Sequence, residues 1–326
     1  MGTLEANGIK KRAWFEKEPF GGFWEKGYKN PIVSTMGGPS HEVAEVAVAL
    51  PHGAWVLDLG CGEGRNSIYL AGKGFRVTAI DRSEAAIKKL RLMAERAGVS
   101  VTTELADIAT LDLQERYDLI MAHGVLYYLT NDEWRVLLGQ VKEHTRPDGF
   151  NIYSVFIFND EYPRPEEFRS ARYTHSFRPN ELKEFYEDWE IIRYDVYVKW
   201  DQHPGIQLHY HPIEKLVARR RGSLGKPAIV EPLPGGEDSM PREIFDQIPM
   251  GMPDDALSLL CGQPHYVETL AIPGIQVGPS IATVDGYELK LWLYGRAVVY
   301  VVNGCVRGKA LYSTPPVRVR FDQGDR

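Results

Sequence analysis

Three glycines crowd into five positions of the stretch VLDLGCGEGRNS, at Gly60, Gly62 and Gly64, directly after an apolar run. A backbone that bare lets amide groups and the start of a following helix come close to a ligand. Acids bracket the turn: Asp58 precedes it, Asp81 closes the next apolar run, FRVTAID, and Asp107 closes a third, VTTELAD. A carboxylate at the end of the second strand of such a unit can accept both hydroxyls of a ribose. The dinucleotide fingerprint GxGxxG is not met, because Arg65 holds its sixth position; the pattern is DxGxGxG from Asp58. A nicotinamide dinucleotide is therefore the weaker alternative.

A second set of residues could meet a reaction partner. His123, Tyr127 and Tyr128 follow a fourth apolar run and Tyr153 lies in a fifth, so a pocket above the strand ends would have them near it. Any acceptor hydroxyl or amine would want a base within reach of its proton. The segment FGGFWEKGYKNPIVSTMGGPSHE carries Trp24, Tyr28 and His41 and reads either as a lid over the site or as a surface arm anchored by its aromatics. Further on, DQHPGIQLHYHPIEK carries His203, His209 and His211. His209 and His211 share one strand face, a spacing that can hold a metal, but no carboxylate or cysteine stands beside them and no metal is expected.

The elements that must position these groups alternate from Ala54 to about Phe158. AWVLDLG, FRVTAID, VTTELAD, YDLIMAHGVLYYL and GFNIYSVFI read as strands; RNSIYLAGKG, EAAIKKLRLMAERAG and NDEWRVLLGQVKEHT read as helices, the last starting from an Asn-Asp cap. Strand and helix in alternation with short connections predict an α/β fold: a Rossmann-like, doubly wound, mainly parallel sheet whose ligand lies at the carboxyl ends of its strands. YDVYVKWDQHPGIQLHYHPIEKLVARR adds a hairpin.

GCGEGRNSIYLAGKGFRVTAID, together with HSFRPNELKEFYEDWE and the closing IEKLVARR, resembles the class I S-adenosylmethionine (SAM) methyltransferases, and among them the tellurite-resistance methyltransferase family, over residues 20–222. The tetrad Gly64–Ser67 is its most specific piece. The resemblance implies that Gly60 and Gly62 flank the methionine part of SAM, that Asp81 holds the ribose and Asp107 the adenine amine, and that Arg65 and Asn66 open the helix beside the ligand. Asp58 fits the SAM amino group, directly or through water. Arg82, Ile108 and His123 complete the implied cofactor contacts. His123, Tyr128, His209 and His211 are the candidate catalytic residues, with Trp24, Tyr28 and Tyr153 around the substrate.

What the family implies for activity is methyl transfer to a small soft acceptor, a thiol or a chalcogen oxyanion such as tellurite or selenite. The spacing around DQHPG departs from the family's histidine and basic residues there, which puts tellurite itself in question. Two other readings stay open: an oxygen or nitrogen methyltransferase of a small metabolite, and a SAM-binding sensor or scaffold without catalysis.

Composition narrows the partners. The chain has 326 residues, 44% hydrophobic and 25% charged, with a formal net charge of −6 and no basic cluster beyond ARRRG, which leaves nothing to gather a phosphate backbone. No apolar run is long enough to cross a bilayer, and three scattered cysteines suit reduced thiols, so a cytoplasmic protein without nucleic-acid or membrane partners is expected.

After Arg221 the composition shifts to GSLGKPAIVEPLPGGEDSMP, rich in glycine and proline, which reads as a linker over residues 223–240. The domains expected are 1–222, with the N-terminal lid, and a smaller α+β module at 241–326. In it, PREIFDQI and PDDALSLLCG read as helices and YELKLWLYG, AVVYVVNG and CVRGKALYS as three strands, with a turn at Asn303-Gly304. IPMGMPDDALSLLCGQP, WLYG and VVNGCV resemble the small BamE-like (SmpA/OmlA) module, without the lipid-attachment cysteine. Such a module is expected to be autonomous, dispensable for SAM binding, and able to pair with a second copy in a homodimer.

Overall fold

The computed structural model describes residues 24–25, 27–29, 38–164, 174–201, 209–222, 228–233, 240–272, 287–302, 304–313 and 316–321. His203 lies outside them. The expected alternation is present: α1 (His41–Ala47), β1 (Trp55–Leu59), α2 (Arg65–Gly72), β2 (Arg76–Asp81), α3 (Glu84–Arg96), β3 (Thr102–Leu105), β4 (Tyr117–His123), α4 (Asn131–His144) and β5 (Thr145–Phe156). A short helix α5 (Glu181–Phe185) leads into the hairpin of β6 (Glu190–Asp201) and β7 (His209–Arg219).

Strands β3, β2, β1, β4 and β5 lie side by side in parallel. Apart from Asp58, β1 is apolar because both of its faces are covered, Val56 by α1 and α2 on one side, Leu57 and Leu59 by the α4 layer on the other. Trp134, Leu137 and Leu138 of α4 are buried in that second layer. The cap of α4 is one residue earlier than the Asn-Asp reading: Thr130 accepts from the Glu133 amide and Glu133 Oε2 accepts from the Thr130 amide, a reciprocal pair that satisfies two helix-end donors.

The sheet does not stop at the hairpin. β7 and β6 add antiparallel to β5, and the order continues through β12 (Cys305–Tyr312), β11 (Ala297–Val302), β10 (Tyr287–Tyr294) and β9 (Tyr266–Ile272), giving one sheet of eleven strands. The join is made by Tyr312 opposite Tyr197, Leu311 opposite Val198, Ala310 opposite Lys199 and Lys309 opposite Trp200. Four strands of this sheet, not three, therefore follow the two C-terminal helices, α6 (Arg242–Gln247) and α7 (Asp254–Cys261). These helices cover one face of β10–β12 through Phe245, Leu257, Trp292, Val299, Val301 and Val306.

The stretch 223–240 read as a linker carries β8 (Ala228–Pro232), antiparallel to β13 (Val317–Phe321). Val319 and Phe321 pack against the core that holds Val56 and Leu119, with the Phe321 ring edge-on to Phe150 at 5.5 Å. The C-terminal residues thus touch the first domain twice, through a strand edge and through its core. Among the described residues no helix is long and apolar enough to cross a membrane.

Candidate functional site

The glycine turn is built by backbone conformations that only glycine takes without strain. Gly60, Gly62 and Gly64 have φ of +68°, +55° and +84°. The amides of Gly60 and Cys61 donate to the Ile80 carbonyl at 2.8 and 3.0 Å, tying the turn to the end of β2. There Asp81 accepts from the Gly62 amide at Oδ2 (2.9 Å) and from the Ser83 amide at Oδ1 (2.8 Å). Each oxygen keeps a second lone pair for a ligand hydroxyl. A Cβ on Gly60 would run into Val125 and one on Gly64 into Leu90, so the turn packs against these side chains only while both positions stay bare.

The other strand-end acids are arranged alongside. Asp58 is buried and takes a hydrogen bond from Ser67 Oγ at 2.6 Å; burial, reinforced by Asp81 and opposed by Ser67 and Arg65, pushes its carboxyl up to about 6. Asp107 caps the short 3-10 turn Ile108–Thr110 through Oδ1 and the Ala109 amide at 2.9 Å. Arg65 donates to the Gly38 carbonyl and to Ser40 Oγ, and Asn66 accepts from the Ser40 amide at 2.9 Å, which fastens the entry of α1 to the start of α2.

A buried polar chain crosses the floor of the site. His123 Nε2 lies 2.9 Å from Glu42 Oε1, its Nδ1 faces Asn66 Nδ2 at 3.5 Å, and Glu42 Oε2 accepts from Lys215 Nζ at 2.7 Å. Burial lowers the proton affinity of His123 against the pull of Glu42. Burial also acts to raise the Glu42 carboxyl, but Lys215 and His123 together hold it well below the usual range. Next along the same sheet, Arg193 pairs with Asp195 and with Glu45. Register explains the grouping: His123 stands opposite Ser154, Ser154 opposite Lys215 and Lys215 opposite Asp195, one row of side chains on one face.

The described part of the N-terminal arm sits on the glycine turn. Tyr28 packs against Gly62, and desolvation of its phenol together with Asp81 drives it far above its normal value. Trp24 stacks on it at 6.1 Å. The arm is held from α3: Ser83 donates to Glu25, and Lys89, 2.7 Å from Glu63, donates to the Gly27 carbonyl at 3.0 Å.

These groups surround one cavity of about 860 Å³. Asp58, Gly60, Gly62, Arg65, Asn66, Asp81, Arg82, Asp107, Ile108 and His123 all line it, as do Trp24, Tyr28, Tyr128 and His211. Arg82 lies over the Tyr128 ring at 5.7 Å, and His211 stacks on Phe156 at 5.1 Å. Two expected residues are elsewhere. Tyr153 points into the α4 side of the core, its hydroxyl 2.6 Å from that of Tyr186, and its neighbour Ser154 faces the cavity in its place. His209 is buried beside His211, rings 4.5 Å apart, behind the cavity wall. Among the described residues no cluster of three or more histidine, cysteine or acidic side chains is placed to hold a metal.

Glu42, Lys215 and Lys89 carry much of this geometry together with Ser67, and none of the three stood out in the sequence. Only Ser67, part of the tetrad Gly64–Ser67, offered a local signal; Glu42 and Lys215 meet solely because β7 is laid beside β5.

The family model described as tellurite resistance protein TehB matches residues 28–202. The probable S-adenosyl-L-methionine-dependent methyltransferase TehB of Haemophilus influenzae (strain ATCC 51907 / DSM 11121 / KW20 / Rd) is 38% identical over 140 residues, 43% of this chain and 47% of that protein. Hemagglutinin 1 of Eikenella corrodens is 31% identical over 156 residues, 48% of this chain and 50% of that one. The crystal structure of TehB from Haemophilus influenzae superposes with a TM-score of 0.51 at 31% identity, covering 56% of this chain and 62% of that chain. The chain spans about half the length of the curated relatives it matches. The BamE-like resemblance of the C-terminal strands finds no counterpart in these similarities.

Proposed function

The chain belongs to the TehB tellurite-resistance family, and from that premise we propose that it transfers a methyl group from S-adenosylmethionine to a soft acceptor, a thiol or a chalcogen oxyanion such as tellurite or selenite. The observation that carries the reading is the glycine turn locked to the Asp81 carboxylate, with Asp58 and Asp107 at the neighbouring strand ends. These residues fit the cofactor: the bare glycine turn lines the cavity, Asp81 keeps acceptors for a ribose, and Asp58 suits an ammonium. When bound, the sulfonium supplies an activated methyl group.

The chain's own part is then to align the acceptor and keep water out, since a soft anionic nucleophile displaces the methyl in line without further activation. Tyr28 and Trp24 close the donor side. His123 holds the floor rather than a proton, because Nε2 engages Glu42 and Nδ1 faces Asn66. A second reading, transfer to an oxygen or nitrogen, draws on the same pair: a carboxylate behind an imidazole is the arrangement that orients a general base. We place the protein in the cytosol, where its described cysteines, all unpaired, would stay reduced.

Calorimetry with SAM and S-adenosylhomocysteine, followed by a turnover screen over tellurite, selenite, thiols, catechols and amines, tests the proposal. Binding in the micromolar range with turnover of soft acceptors is expected; binding without turnover of any acceptor would make the sensor reading the better one, and turnover only of catechols or amines would favour the second.

A further inference from the structure

Resting on that methyl-transfer reading, we infer that strands β10–β12 form the far wall of the acceptor site, and that the acceptor is a thiol on an apolar body of about aromatic size rather than a bare oxyanion. The cavity that begins at Gly60 and Gly62 ends against Leu291, Leu293, Val298, Tyr300 and Tyr312, all outside the residues that the family model matches.

The strand pattern fixes which side chains these are. Trp292, Val299 and Val306 turn to α6 and α7, so their neighbours Leu291, Leu293, Val298 and Tyr300 must turn to the opposite face. Cross-strand register then aligns the wall with the rest of the site. Leu293 is opposite Val298, Val298 opposite Ala310, Ala310 opposite Lys199, and Lys199 opposite His211. A parallel row runs Tyr312, Tyr197, Ile213, Phe156, ending beside Tyr127, on which Phe156 stacks at 5.0 Å.

The chemistry of the two ends differs. Near the cofactor turn the lining is charged and hydrogen-bonded. At the C-terminal end it is aliphatic and aromatic, with Tyr197 and Tyr312 stacked at 4.6 Å. Apolar side chains that face a cleft forgo contacts that a ligand would restore, and a cavity of about 860 Å³ is of the size that takes organic ligands. A hydrated oxyanion gains nothing from leucine and valine, whereas a carbon skeleton does. In the step itself, the thiol loses its proton to solvent, the thiolate sulfur bonds to the methyl carbon, and the bond from that carbon to the sulfonium breaks with its electron pair left on sulfur, giving a thioether and S-adenosylhomocysteine.

The test uses 4-methylthiophenol, 2-mercaptoethanol and tellurite as acceptors, and the thioether 4-methylthioanisole as a ligand whose binding is read by calorimetry with and without S-adenosylhomocysteine. Expected are kcat/KM for 4-methylthiophenol at least 100-fold above 2-mercaptoethanol, thioether binding below 1 mM as roughly −4 kcal/mol or better, and a tenfold or greater loss of both in Tyr300→Ala and in Leu291→Gln, with S-adenosylhomocysteine affinity within twofold of the parent. The two variants guard against one failing to fold. Equal turnover of both thiols, tellurite as the preferred acceptor, or thioether binding indifferent to both variants would overturn the inference. If the thioether binds as expected yet no acceptor is methylated, the wall stands as a binding site and the methyl-transfer reading is what fails.

Discussion

The Tyr28 hydroxyl lies 2.9 Å from where a Cβ would sit on Gly62, so the arm and the turn are fitted to each other with no side chain to spare. Adding one is penalised twice, by the clash and by a φ of +55° that L residues rarely adopt. Gly62→Ala should weaken S-adenosylhomocysteine binding about tenfold, as expected from roughly 1–2 kcal/mol of strain. Gly62→Val should leave no binding detectable by calorimetry while the far-ultraviolet circular dichroism is unchanged. Normal binding by either folded variant would rule out a ligand at the turn.

Asp81 holds two backbone amides and, in the proposed complex, the ribose. Charged hydrogen bonds are worth about 1.5–3 kcal/mol each, so Asp81→Asn is expected to cost roughly 10- to 100-fold in affinity for SAM and its product alike. A variant that binds as tightly as the parent would refute the assignment.

Asp58 gives the site a pH dependence of definite sign. Its carboxyl is raised to about 6 by burial, so the folded protein takes up the proton more readily than the unfolded chain, and stability contributed by the protonated form is lost as pH rises through about 6. Ligand binding runs the other way, because an ammonium needs the carboxylate. The dissociation constant of S-adenosylhomocysteine should be flat above pH 7 and rise below about 6, approaching tenfold per pH unit; Asp58→Asn should remove the dependence. Titrations from pH 5 to 8 decide it.

Glu42 is predicted to act on stability. Its carboxyl is held well below the normal range by Lys215 and His123 against the opposing effect of burial, so its contribution is present above the unfolded value and is lost as pH falls through the lowered folded one. Glu42→Gln leaves Lys215 without its buried counter-charge and should cost about 3 kcal/mol at neutral pH. Urea unfolding at pH 7 and pH 4 should show the variant losing less than the parent on acidification.

The C-terminal strands should prove costly to remove. Phe321→Ala takes an aromatic edge away from Phe150 and is expected to destabilise by roughly 2 kcal/mol, less than a fully buried phenylalanine because the residue is only partly buried. Ending the chain at Arg221 strips β12 from β6 and exposes an edge that carries Val196 and Val198. Sedimentation should find the shortened chain aggregated or lower in melting temperature. A soluble monomer of parent stability would restore the view of residues 241–326 as an autonomous module.

How far the sequence led depends on the range of the contacts involved. β1, β2 and the glycine turn announce themselves locally, through apolar runs and residues that tolerate positive φ. Tyr153 shows where local reading stops: β5 is buried on both faces, so NIYSVF has no alternation to tell which side meets the site, and a choice between Tyr153 and Ser154 is a choice of face. The Glu42–Lys215 contact and the Tyr312–Tyr197 pair join segments far apart in the chain through sheet register, which no spacing rule encodes. The stretch 223–240 read as a linker from its glycine and proline content, yet Ile229 and Val230 lie in a strand whose partner comes from the end of the sequence.

An edge has to exist before another strand can be templated on it. β6 takes its place in the sheet only after it has folded back on β7 and the pair has docked beside β5, so β12 has no position to join until these strands are in place. Closing so long a loop is slow compared with forming the hairpin, which orders the events in time. Synthesis runs in the same direction, and the final third of the chain should condense last, on a surface that the first two thirds have already prepared.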